Sequence, residues 1–103
     1  MTSAEITNLL DAQIGDQWHR TNLHGVDLRK CIVPPERKSV LDAAGEKSCE
    51  AWLVLLEHPD KKLGYAVVYD ETSGDFGLAQ FAEGYEPCLF GLYGDFFKAL
   101  EAM

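Results

Sequence analysis

Basic residues almost disappear from the second half of this chain. From Leu63 onward Lys98 is the only strong base, set against Asp70, Glu71, Asp75, Glu83, Glu86, Asp95 and Glu101. A field of that sign repels phosphate backbones and disfavours nucleic-acid binding there. The other bases gather in Arg29, Lys30, Arg37, Lys38 and Lys47, interleaved with Glu36, Asp42 and Glu46, which reads as a solvated face. Long apolar runs are missing too. No stretch approaches the ~18 apolar residues a membrane span requires. Glu5, Asp11 and Asp16 stand where a secretory signal would carry bases and then an apolar run. Cysteine is sparse: Cys31, Cys49 and Cys88 are an odd number with no C-x-x-C pair. A disulfide framework is therefore not expected, and a soluble protein of the reducing cytoplasm is.

What is present suits one folded domain over 1–103. The chain has 103 residues, 47% hydrophobic and 11% aromatic, with a net charge of −8. A chain of this length buries roughly two-thirds of its unfolded surface, enough for one core without staples.

The stretch from Glu50 to Ala82 organises the rest. It holds apolar runs separated by turn-rich charged connections, the pattern of an antiparallel meander. Ala51–His58 is apolar on both faces, with Trp52, Val54 and Leu56 opposite Ala51, Leu53 and Leu55. Such a strand lies inside a sheet covered on both sides. Pro59-Asp60-Lys61-Lys62 is turn chemistry. Leu63–Tyr69 and Phe76–Ala82 follow as strands, with Asp70–Asp75 as the turn between them. The small residues Gly64, Ala66, Gly77 and Ala79 suggest one face where a helix lies close.

Flanking segments supply the cover. Thr2 and Ser3 followed by Glu5 offer N-capping chemistry. Ile6, Leu9, Leu10 and Ile14 recur at helical spacing, and Gly15 closes the pattern. Val26–Val33 alternates as a half-solvated strand ended by Pro34-Pro35. Glu36–Cys49 reads as a long connection, and Gly84–Gly94 as an irregular apolar link or short strand. Asp95 is a sound N-cap for a last helix whose apolar face is Phe96, Ala99, Leu100 and Met103. The fold expected is α+β: an antiparallel meander of four to five strands with an N-terminal and a C-terminal helix packed on the sheet. Two short helices cannot cover both sides of it. Either the bare face of the sheet meets a partner, or the sheet curls around its own core. The first alternative is the expectation here, with a homodimer through the sheet face or edge.

Candidate chemistry is thin. Trp18, His19, His24 and Asp27 form the densest polar cluster, and two imidazoles with a carboxylate suit a metal such as zinc. The five-residue spacing does not put both histidines on one helix face, so a surface or capping role is the simpler reading and no metal is expected. Cys31 beside Arg29 and Lys30 sits in a locally positive stretch that would activate a thiol. Apolar filler on a strand is its plainer role. Glu57-His58-Pro59-Asp60 pairs imidazole with carboxylates at a strand end, where a solvated turn explains it as well. Asp70–Asp75 lacks the spacing and closing Glu of a calcium loop. Gly84, Gly91 and Gly94 lack the strand–Gly-x-Gly–helix context of a phosphate cradle.

Aromatic residues are the stronger signal. Trp52, Tyr65, Tyr69, Phe81, Tyr85, Phe90 and Tyr93 exceed what one small core needs, and tyrosines on a sheet are common at interfaces. The layout resembles that of small bacterial accessory proteins, some carried on mobile gene cassettes; no residue role is carried over from that likeness. The function expected is a non-enzymatic protein-binding or regulatory module of accessory, inhibitor or immunity type, since an acidic surface suits a basic partner. The alternative is a small-molecule-binding domain with an apolar pocket lined by Trp52, Tyr65 and Phe81. Neither reading calls for a cofactor.

Overall fold

A computed structural model describes residues 1–82 and 84–103. The elements run α1 (Ser3–Ile14), α2 (Leu28–Cys31), β1 (Ile32–Leu41), β2 (Ser48–His58), β3 (Leu63–Asp70), β4 (Asp75–Phe81), β5 (Cys88–Gly94) and α3 (Phe96–Glu101). Consecutive strands pair antiparallel, and β1 meets β5 at one parallel pair, Leu41 with Cys88, so the meander closes on itself. The fold is α+β, with the first and last helices on the outside of the sheet.

Local chemistry sets the ends of α1. The Thr2 hydroxyl accepts from the Glu5 amide, and the Glu5 carboxylate accepts from the Thr2 amide, a complete capping box. Gly15 ends the helix at φ +56° while its N–H donates to Asp11 O. Ile6, Leu10 and Ile14 are buried on one stripe. They join Trp52, Val54, Leu55, Val67, Tyr69 and Phe76 from the sheet and Phe96, Ala99 and Leu100 from α3 in one core. Asp95 caps α3 by accepting from the Lys98 amide at 2.9 Å.

A second core lies on the other face. Val40, Ala51, Leu53, Leu56, Ala66, Val68 and Ala79 pack together with help from Val33, Phe81 and Leu89. All of these come from strands, so this core is the inside of the curled sheet. The face of β2 expected to be bare is therefore enclosed, and the curling alternative holds. Of the small residues, Ala66 and Ala79 pack in this inner core, away from the helices. A Cβ on Gly77 would stand 2.6 Å from the carbonyl oxygen of Gly91, so β4 and β5 come this close only because Gly77 has none.

Strand β2 does not alternate strictly. Its register with β3 shifts between Leu53 and Leu55. Val54 and Leu55 both face the helix side and Leu56 returns to the inside, as a bulge requires.

Three expectations need correction. Val26–Val33 is not a strand: the Asp27 carboxylate accepts from the Arg29 amide and starts the single turn α2, which buries Leu28 and Cys31 three residues apart. Pro34-Pro35 do not end a strand. They sit within β1 at an irregularity where Val33, Pro34 and Pro35 stand opposite Val54 alone, so their missing N–H groups cost no ladder bond. Glu36–Cys49 is accordingly not one connection. Glu36–Leu41 finishes β1, Ser48 opens β2, and the turn between them closes through Asp42 N–H to Lys47 O at 2.8 Å.

Candidate functional site

The aromatic candidates divide by position. Trp52 and Tyr69 are core residues, 7% and 8% exposed. The Trp52 indole N–H donates to Glu71 Oε1 at 2.7 Å, and the Arg37 guanidinium lies 5.0 Å from its ring centroid. Glu71 also receives the terminal ammonium at 3.1 Å and Arg37 at 3.4 Å. The Trp52 hydrogen bond above all, then the ammonium and Arg37, hold the Glu71 carboxyl below its ordinary pKa. Tyr69 packs on Phe76 with ring centroids 4.9 Å apart. Phe81 borders the inner core. Trp52, Tyr65 and Phe81 therefore line no common pocket.

Tyr65, Phe90, Tyr93 and Tyr85 lie toward solvent. Tyr65 is half-buried between His24 and Phe90, with centroid distances of 5.5 and 5.9 Å. Tyr85 is 78% exposed, and on β5 Phe90, Leu92 and Tyr93 are 47%, 39% and 38% exposed.

Strand β5 is the unusual element. One edge pairs with β4 through Cys88, Leu89, Gly91, Leu92 and Gly94, with register shifts that leave Phe90 and Tyr93 as extra residues on β5. The other meets β1 only at Cys88, because Leu41 there ends β1 and the chain turns away. Beyond Cys88, among the described residues, no strand pairs with that edge. The sequence CLFGLYG carries no charge and no proline. Proteins normally blunt such an edge with Lys, Pro, bulges or cover. The far strand of the sheet does so: β1 carries Pro34, Pro35, Glu36, Arg37 and Lys38. Glu86 and Asp95 flank β5 at its two ends. Ser39 and Ser48 each donate to Glu86 Oε1, at 2.7 and 2.9 Å, and hold its carboxyl ionised to lower pH than usual.

The polar cluster separates in space. His19 is exposed, and Trp18 leans on the outer core under the Arg29 guanidinium, 5.5 Å from its ring. Asp27 is spent on capping α2. Cys31 is buried, and its thiol donates to Glu57 O at 3.7 Å. Burial, the largest influence, pushes that thiol above its ordinary pKa despite Lys30 beside it, so the activation suggested by neighbouring bases is not realised. Among the described residues no three metal-ligating side chains converge.

His24 instead pairs with Glu57, Nδ1 to Oε2 at 2.6 Å, and Glu57 Oε1 accepts from the Tyr65 amide at 3.2 Å. Partial burial works against the charge of Glu57 and is the strongest single influence. The His24 hydrogen bond, the Tyr65 amide and the nearby His24 and His58 imidazoles together outweigh it, and the carboxyl sits below its ordinary pKa. An ionised carboxylate only accepts, which assigns the proton to Nδ1. The pair has the form of a base and its orienting group, yet the thiol nearest it is the buried Cys31. It pins the 15–27 segment to the end of β2. The pairing joins residues 33 apart, so no sequence window could disclose it. Leu92 likewise escapes a search for aromatics.

No helix among the described residues is long and apolar enough to cross a membrane. Compared with known families, curated proteins and solved structures, the chain matches none.

Proposed function

We propose that this chain is a non-enzymatic protein-binding module that takes an extended segment of a partner protein onto the free edge of β5. The observation that carries the reading is the contrast between two strands of one sheet: β1 carries prolines and charge, while β5 carries neither and leaves Phe90, Leu92 and Tyr93 exposed. An added strand satisfies the open backbone groups, and Phe90, Leu92 and Tyr93 offer the side-chain contacts that select its sequence.

Charge selects the partner. A second copy would pair β5 with β5 antiparallel, as two-fold symmetry demands. That arrangement sets the Glu86 end of one strand against the Asp95 end of the other, and like charges oppose it. With a net charge of −8 on each copy, a segment with basic flanks complements the edge better than a homodimer does. The three cysteines are free, which suits action in the cytoplasm.

Selection from a displayed library of linear peptides tests this. The expected winners alternate apolar residues between basic flanks and lose binding to a Phe90→Lys, Tyr93→Lys variant that still melts cooperatively. Self-association in sedimentation that the same variant abolishes would make the occupant a second copy. Winners that bind the variant as well as the parent chain would refute the edge.

A further inference from the structure

The inner core opens at one end of the curled sheet. There a cleft of about 360 Å³ lies between the proline segment of β1, the end of β2 and the turn before β3. Val33, Pro34, Leu53, Leu56 and Phe81 line it, and Lys38 and Lys62 stand at its rim. Its floor is continuous with the inner core, since Leu53 and Leu56 are each 4% exposed and pack with Val33 and Phe81. The volume falls at the lower end of the range for small-ligand sites.

Two details give the cleft a polarity. Glu36, also on the lining, is engaged by Lys38 at 3.2 Å. Lys62 takes part in none of the ion pairs among the described residues. Lys62 is also the one non-glycine residue with positive φ among those described, at +55°. Glycine or asparagine would hold that turn with less strain, and strain of this kind gathers at ligand clamps. An unpaired ammonium on a strained backbone turn, beside an apolar cleft, complements a molecule with an anionic head and a hydrocarbon tail.

We propose that this mouth is a binding site for a medium-chain fatty carboxylate, the tail in the cleft and the head on Lys62. The site is separate from the β5 edge and stands or falls independently of it. Each methylene that enters the cleft tightens binding about fourfold until the cleft is full.

The test is a titration of the isotope-labelled full chain with hexanoate, octanoate and decanoate, with decanol and decyltrimethylammonium as controls. Affinity should rise with chain length, and resonance shifts should centre on Val33, Leu53, Leu56 and Phe81. Lys62→Glu is exposed and leaves the core untouched; it should weaken decanoate about tenfold, a loss equal to one close charge contact, while decanol binding holds. Shifts confined to other residues, no shifts at millimolar decanoate, equal binding by Lys62→Glu, or decyltrimethylammonium bound as tightly as decanoate would each overturn the proposal.

Discussion

Replacing Gly77 by alanine should destabilise the protein although alanine is the better strand residue. The added methyl would meet the Gly91 carbonyl oxygen at 2.6 Å, Leu92 Cδ2 at 2.8 Å and Leu89 Cδ1 at 3.3 Å. The two leucine tips can rotate away. The carbonyl cannot, because it belongs to the β4–β5 ladder in which Gly77 faces Leu92 and Leu78 faces Gly91. Overpacking of this kind costs about 1–3 kcal/mol. Removing glycine's unfolded-state freedom returns about 0.5–1 kcal/mol. Against a backbone oxygen that cannot move, the cost falls in the upper part of that range, so the net loss is about 1–2 kcal/mol, and each kcal/mol lowers the melting temperature by about 4–8 °C in a domain of this size. Urea unfolding followed by the fluorescence of Trp18 and Trp52 measures it, with the m-value held constant as the check that only stability moved. Gly91→Ala is the control: its methyl would first meet the Tyr93 hydroxyl at 3.4 Å, a movable group, so stability should stay within about 0.5 kcal/mol. Equal stability of Gly77→Ala and the parent chain would refute the close approach of β4 and β5.

Two further outcomes follow from local geometry. Glu57 has a folded pKa below its ordinary value. Its contribution to stability is therefore full above the unfolded carboxylate range near ~4.3 and is lost as pH falls through the lower folded value. Glu57→Gln should be less stable than the parent chain at neutral pH, and the difference should shrink as pH falls from the unfolded carboxylate range through the lower folded value, as pH-dependent thermal melts would show; a difference that stays constant on acidification would contradict the assignment. Lys62→Gly relieves a left-handed lysine and should gain about 0.5–1 kcal/mol in urea unfolding, where a loss would mean that the turn conformation is not strained.

Much of the fold was legible because its signals are local. The Thr2–Glu5 box, Gly15, the Asp95 cap and the turns after His58 and Asp70 each depend on a few neighbouring residues, and each lies where its chemistry puts it. From Val26 to Cys49 the local signals, alternation in Val26–Val33 and then Pro34-Pro35 and Gly45, point away from the structure, because backbone bonding decides there. Val26–Val33 alternates in sequence, yet the Asp27 carboxylate diverts it into a helical turn. Pro34-Pro35 look like a strand terminator, yet a bulge accommodates both because proline has no N–H to leave unpaired. The closure was the harder matter. The apolar faces of β2 could be read, and the shortage of helical cover could be counted. What could not be read was that a single Leu41–Cys88 pair lets the sheet meet itself, because that contact joins distant parts of the chain.

The candidate site was half visible. Phe90, Tyr93 and Tyr85 stand out in sequence as aromatic residues, and the structure places them at solvent. What makes them a candidate site is their position on or beside a strand with one open edge, a fact of topology. Trp52 and Tyr69 carried the same signal and went to the core. His24 and Cys31 lie near the same strand end without forming a reactive pair, since the thiol is buried and donates to a backbone carbonyl.

The most direct test of the β5 edge is amide hydrogen exchange, residue by residue, with and without a selected peptide. In the free chain the outward-facing amides of Cys88–Gly94 should exchange fast while those bonded to β4 are protected. Peptide should slow the outward set and leave the inner set unchanged. Outward amides that are already protected without peptide, or protection that peptide confers on another part of the surface, would contradict the account.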